Sequence, residues 1–218
     1  MPDAIDRRSA LRAIGIGAAT LGLAACSSHR QQPPVVPPGP PGPVGTQIVY
    51  LIRHAEKPTG KDAVKGLDGQ GQEDKHSLTP VGWQRAQALA ELFSSGQRGI
   101  AVPQHLFAAR PDSSKRSLET LTPLSAKLHL PINSTIGADE IAAAAAAIAR
   151  TPGVTLVAWE HHAIAPLVAA LGPINPAPPT KWPGSRFDVI WAFTRTGIDW
   201  QFSQIPELVL DGDQSTGI

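Results

Sequence analysis

Two runs of continuous apolar residues constrain the fold more than any other feature. Thr46–Ile52 and Val154–Trp159 show almost no alternation between apolar and polar side chains. A strand with one wet face alternates with period two, so runs without alternation must be buried on both faces. That requires a layer on each side of a sheet. The segments between supply the layers. Leu78-Thr79-Pro80 offers an N-cap and an N1 proline for a helix reaching about Ser95, with Ala86, Leu89, Ala90 and Phe93 on its inner face. His105–Ala109 reads as a short strand, and Asp112 is placed to cap a helix from Ser113 to about Leu128. Ala138–Arg150, with six consecutive alanines, is helical by propensity, and Ala163–Leu171 is a further helix. A Pro-rich loop, Pro173–Gly184, leads to two strands, Phe187–Thr194 and Trp200–Ile205, joined by the turn Arg195–Asp199. Strand–helix alternation through residue 171 predicts an α/β fold. The expectation is a mostly parallel central sheet with helices on both faces, in three layers, followed by a C-terminal antiparallel hairpin.

The folded part does not begin at residue 1. Residues 1–25 carry the pair Arg7-Arg8 and then a short apolar, small-residue stretch, Ala13–Ala25. That stretch falls short of the ~20 residues needed to span a bilayer and reads as the core of an export signal. The twin arginine indicates the bacterial Tat route. Leu23-Ala24-Ala25-Cys26 resembles a lipobox, which makes Cys26 the lipid-bearing first residue of the mature chain. Cys26 is the only cysteine, so no internal disulfide is available. Residues 26–45 are dominated by Pro and Gly and are expected to form an extended tether. One domain, 46–210, and a tail, 211–218, complete the expected organisation. The chain is predicted to sit on the extracytoplasmic face of a bacterial membrane, held by its lipid.

Charge excludes one class of partner. Removing residues 1–25 takes three Arg and two Asp from totals of 19 and 18, leaving 16 basic and 16 acidic residues. A formally neutral mature chain has no basic surplus for nucleic acid.

Ligands of open α/β sheets bind beyond the carboxyl ends of the strands. Two polar clusters stand at such ends: Arg53-His54 after the first apolar run and Glu160-His161-His162 after the second. Both are predicted to face one crevice. Four motifs extend the pattern. Arg53-His54-Ala55-Glu56 resembles the Arg-His-Gly-Glu signature of the histidine phosphatase superfamily, the phosphoglycerate-mutase-like group, with Ala in place of Gly. Leu78-Thr79-Pro80-Val81-Gly82 resembles that family's Leu-Thr-x-x-Gly helix start, and Arg116-Ser117-Leu118-Glu119-Thr120 its second-arginine helix. Trp159-Glu160-His161-His162 stands where the family has its second histidine.

The resemblance implies a role for each residue. His54 is the expected nucleophile, forming a phosphohistidine. Arg53 and Arg116 are the expected phosphate clamps, because guanidinium forks match phosphate oxygens. His161, rather than its neighbour His162, is expected to donate to an equatorial oxygen. Arg110 is a candidate further phosphate ligand or a solvated loop residue. His76 and Arg85 are within reach of the crevice. The general acid is not settled: Glu140 or Asp139 is favoured, with Glu160 and Glu56 as alternatives. Without an acid, the chemistry favours acyl phosphates, pyrophosphates or phosphoramidates. Specificity is expected in loops 57–77 and 173–186, and Trp159, Trp182 and Phe187 line a site for a ring or belong to the core.

The expected activity is hydrolysis of small phosphorylated compounds, without cofactor or metal. His54, His161 and His162 lack the i, i+4 pairing and acidic ligand of a metal hydrolase. A mutase needs a phosphorylated cofactor and a cytosolic setting, which the export signal opposes. The alternative is a non-catalytic lipoprotein binding phosphate or another anion.

Overall fold

A computed structural model describes residues 45–60 and 63–218. The expected signal at 1–25, the lipidated Cys26 and residues 26–44 of the tether lie outside the described residues.

The elements follow in the order β1 (Gln47–Arg53), α1 (Pro80–Ser95), β2 (His105–Ala108), α2 (Arg116–Leu128), β3 (Ile132–Asn133), α3 (Ile141–Arg150), β4 (Val154–Trp159), α4 (His161–Ala169), β5 (Ile174–Asn175), β6 (Val189–Arg195) and β7 (Trp200–Pro206). They build one seven-stranded sheet in the order β3-β2-β4-β1-β6-β7-β5. β1, β4, β2 and β3 run parallel, whereas β6 is antiparallel to β1 and to β7. This is the mostly parallel three-layer sheet with an antiparallel C-terminal pair that the apolar runs demand.

Alternate residues of β1 explain why positions 49–52 are all apolar or aromatic. Val49 and Leu51 join a core with Val157 and Trp159 of β4, Ala144 and Ile148 of α3 and Ile164 and Leu167 of α4. Tyr50 and Ile52 join a second core with Leu89 and Phe93 of α1 and Leu121 and Leu124 of α2. Each face of the strand thus meets its own helical layer. Burying a side chain of this size contributes roughly 1.5–3 kcal/mol.

Several boundaries differ from expectation. The helix expected from Ser113 starts at Arg116, and Asp112 does not cap it. The Asp112 carboxylate is held instead by Arg110 Nε at 2.7 Å. The helix expected from Ala163 starts at His161, because Glu160 is extended and its carbonyl already accepts from Ala163 N at 2.9 Å. The alanine-rich helix starts at Ile141, three residues late, after a turn in which Glu140 N donates to Gly137 O. The two-residue strands β3 and β5 have too few side chains to show a period.

Residues 211–218 are not a separate tail. Asp213 pairs with Arg85 Nη2 at 2.7 Å, Gln214 N donates to Asp188 at 2.7 Å, and Arg186 Nη2 donates to Thr216 O at 2.8 Å. No helix among the described residues is long and apolar enough to cross a membrane.

Candidate functional site

The site begins with register. β1 and β4 are parallel neighbours with Arg53 opposite Trp159, so their carboxyl ends share one edge of the sheet. The ladder continues one residue further, with His54 N donating to Trp159 O at 3.0 Å. The next amide, Ala55 N, donates to Thr120 Oγ1 at 2.9 Å, and that hydroxyl donates to Arg116 O at 2.7 Å. One threonine therefore ties the end of β1 to the first turn of α2. Gly82 closes the other side: a Cβ there would lie 2.4 Å from Glu56 O, so only glycine lets α1 approach the segment after His54. Ala55 is fully buried against Leu78 and Ala86.

His54 is 1 % exposed. Its Nδ1 lies 2.7 Å from Ala55 O. A carbonyl only accepts, so Nδ1 carries the proton and Nε2 keeps its lone pair. Burial first, then the charges of Arg53, Arg116 and Lys57, push its pKa down to about 3, against a hydrogen bond that opposes the shift. The ring is neutral at physiological pH.

Arg53 is also 1 % exposed. Its Nη1 donates to Gly184 O at 2.7 Å and Arg186 O at 3.1 Å, and Phe187 stacks on the guanidinium at 3.7 Å. Its Nε and Nη2 are buried with no partner among the described residues. Leaving such donors unpaired is costly, so they are available to an incoming acceptor. Burial lowers the Arg53 pKa to about 10, which leaves it charged.

Arg116 is aimed by the end of the long loop. Its Nη2 donates to Lys75 O at 2.5 Å, its Nε to Ser77 O at 3.3 Å. Glu119 fastens that loop by accepting from Ser77 Oγ at 2.6 Å and Leu78 N at 2.9 Å.

His161 is the first residue of α4. It meets the Arg53 side of the site at Gly184, where a Cβ would stand 3.7 Å from His161 Nε2. Burial, then Arg53, Lys57 and His162, push its pKa down to about 4. Its Nδ1 is buried without a partner among the described residues. His162 points elsewhere, with Asp139 at 3.5 Å and Glu160 at 3.8 Å.

Arg53 and Lys57 act on both His54 and His161, and Arg116 acts on Arg53 and His54. The structure adds Lys57, which the sequence alone did not single out. Lys57 is half-buried, and burial, Arg53 and Arg116 lower its pKa while Glu160 raises it. Only its place two residues after the Arg-His-Ala signal marked it, and lysines in polar loops are common.

Other candidates stand apart. Arg110 is spent on Asp112, on Thr135 O at 2.9 Å and on Glu140 at 3.4 Å. Glu140, expected to be the acid, accepts from Gly137 N at 3.0 Å and acts on Arg110, not on the His54 cluster. Asp139 is largely exposed beside His162. Glu56 is held by Arg85 Nε at 2.9 Å. Arg85 itself is buried among Glu56, Glu207 and Asp213. Glu160 acts on all three of Arg53, Lys57 and Arg116, and Glu56, despite its bond to Arg85, also acts on Arg53. Trp159 and Trp182 belong to the core, whereas Phe187 covers Arg53 and lies 6.2 Å from the His54 ring. His76 is exposed in the loop, its amide held by Asp74.

A cavity of about 290 Å³ opens beside the cluster, lined by Lys57, Phe187, Pro58, Val64, Thr79 and Val81 among others. Larger clefts, of about 490 Å³ along α1 and about 430 Å³ near β2 and β3, contain no residue of the cluster.

The protein histidine phosphatase SixA complexed with tungstate matches with a TM-score of 0.52 and 16% identity, over 73% of this chain and 97% of that chain. The likeness is one of fold. Two further matches are YhfR of Bacillus stearothermophilus and a putative phosphohistidine phosphatase SixA from Nakamurella multipartitia. The first has a TM-score of 0.47 and 15% identity, over 78% and 98% of the two chains. The second has a TM-score of 0.45 and 18% identity, over 74% and 95%. No protein-family model matches the sequence, and no curated protein does.

Proposed function

We propose that the domain is a phosphohydrolase working through a phosphohistidine at His54. The observation that carries this is a buried, neutral His54 whose Nδ1 proton faces Ala55 O, leaving Nε2 as a nucleophile within the field of Arg53, Arg116 and Lys57. The Nε2 lone pair attacks phosphorus, and the bond to the leaving group breaks with its electron pair. Water then attacks the phosphohistidine, the P–N bond breaks back to Nε2, and phosphate departs with the water's oxygen. The unpartnered Nε and Nη2 of Arg53, together with Arg116, offset charge on the transferring oxygens. The amino end of α4, with His161, adds a partial positive charge. The solved histidine phosphatase that shares this fold holds tungstate, a tetrahedral oxyanion like phosphate.

Glu56 is paired with Arg85 and Glu140 with Arg110, which leaves Glu160, whose charge reaches Arg53, Lys57 and Arg116, as the remaining candidate acid. Without a proton from it, the favoured substrates are small compounds whose leaving groups need little protonation. Acyl phosphates, pyrophosphates and phosphoramidates are the classes in view. The reaction is expected to run without metal and to persist in a strong chelator. We also propose that the enzyme is exported and held at the extracytoplasmic membrane face through a lipid on Cys26. Cys26→Ala is expected to release it from the membrane fraction.

The test is turnover of acetyl phosphate or an aryl phosphate by the purified domain, with trapping of phosphorylated protein. Turnover abolished in His54→Ala, with the phosphoryl group mapped to His54, is the expected result. Tight phosphate binding without turnover or phosphoenzyme would make the chain a non-catalytic anion binder instead.

A further inference from the structure

We propose that the cavity beside Lys57 is the leaving-group subsite, and that it takes an apolar body about the size of one substituted ring. This rests on the phosphoryl-transfer reading and adds the class of substrate.

The cavity adjoins the cluster at two side chains. Phe187 caps the Arg53 guanidinium at 3.7 Å, faces the His54 ring at 6.2 Å between centroids, and also walls the cavity. Lys57 likewise lines the cavity while its charge acts on both His54 and His161.

The remaining wall is apolar where water would otherwise stand. Val64 and Val81 are 65% and 47% exposed, and they are two of the five large hydrophobic side chains left exposed in the described domain. Both line this one cavity, with Pro58 and Phe187. Glu56, the acidic member of the lining, is turned to Arg85. Volume sets the occupant's size. A void of about 150 Å³ accepts benzene, so about 290 Å³ suits one ring with a substituent. The Lys57 ammonium in the cavity wall offsets charge on a departing oxyanion.

Binding tests the subsite without requiring turnover. Benzylphosphonate and methylphosphonate present the same headgroup with and without a ring. Calorimetry on the purified domain is expected to show benzylphosphonate binding at least tenfold more tightly. Val81→Trp, which fills the cavity, is expected to erase that preference, and Val102→Trp, on a distant exposed position, to keep it. Equal affinity for the two phosphonates overturns the proposal, as does a preference that survives Val81→Trp. Turnover is measured separately with acetyl and benzoyl phosphate, whose leaving carboxylates are similarly acidic. A ring preference in binding with no turnover of either substrate overturns the phosphatase reading and leaves the subsite standing. With turnover, benzoyl phosphate is expected to show the lower KM.

Discussion

The chemistry of single residues here depends on what each guanidinium or imidazole is left free to do. Arg53 uses one nitrogen on the carbonyls of Gly184 and Arg186 and keeps two for a ligand, whereas Arg110 is consumed by Asp112, Thr135 and Glu140. Replacing Arg53 by Lys should therefore lower kcat/KM by about 10²-fold, since a point charge does not reproduce a fork. Arg110→Ala and Glu140→Gln should leave kcat/KM close to the parent value in the same assay. Lys57 gives a sharper residue-level test. Its charge helps hold His161 down at about 4, so Lys57→Gln should raise the His161 pKa toward 6.5, read by NMR titration of the ring. The motif residues were legible because their chemistry is rare at strand ends. Lys57 was not, because its significance comes from the burial of its neighbours rather than from its own type.

Between elements, the decisive joint is the Thr120 hydroxyl. It accepts from Ala55 N and donates to Arg116 O, so it sets the distance between the strand that leads into His54 and the helix that starts at Arg116. Thr120→Val keeps the shape and leaves a buried amide unpaired, at a cost of roughly 1–3 kcal/mol. Denaturant unfolding should register that loss. A shift of the nucleophile should also lower kcat by more than the lost stability implies, because small misplacements cost up to about 10²-fold. The motif Arg-x-x-Glu-Thr contains this threonine, and its neighbour Glu119 holds Ser77 and Leu78, so the short pattern records two separate contacts. Neither contact has a period that sequence alone displays. The long loop, expected to be polar and functional, is tied down by Asp68 and Asp74, which accept from the amides of Gln70, Gln72 and His76.

For the molecule as a whole, three titratable groups pull stability in opposite directions with pH. His54 and His161 have folded pKa values of about 3 and about 4, below the ordinary 6.5. The unfolded chain therefore binds protons that the fold does not, and stability is lost as pH falls from about 6.5 toward those values. Glu207 works the other way. Burial, with Asp213 and Glu56 nearby, pushes its carboxyl up to about 8 against the attraction of Arg85. The fold then holds a proton that the unfolded chain releases near 4.5, so stability is lost as pH rises from there through about 8. Thermal unfolding followed across pH should show both limbs. Glu207→Gln should flatten the alkaline limb and leave the acid limb in place, while His161→Asn should soften the acid limb alone. Arg85, surrounded by Glu56, Glu207 and Asp213, also binds residues 207–213 to α1. That is why 211–218 belongs to the domain although nothing in its polar sequence announces it.

By itself, the sequence determined the layered sheet and the pair of strand ends that meet at the site. Apolar runs without alternation have no alternative to burial on both faces, and Arg-His and His-His at their carboxyl ends are then carried to one edge. Only the tertiary structure decided which charges converge there. The pairing of Glu140 with Arg110, the capture of Glu56 by Arg85 and the stacking of Phe187 on Arg53 are contacts between segments distant in the chain. Packing sets such contacts, and no local pattern of residue types encodes them.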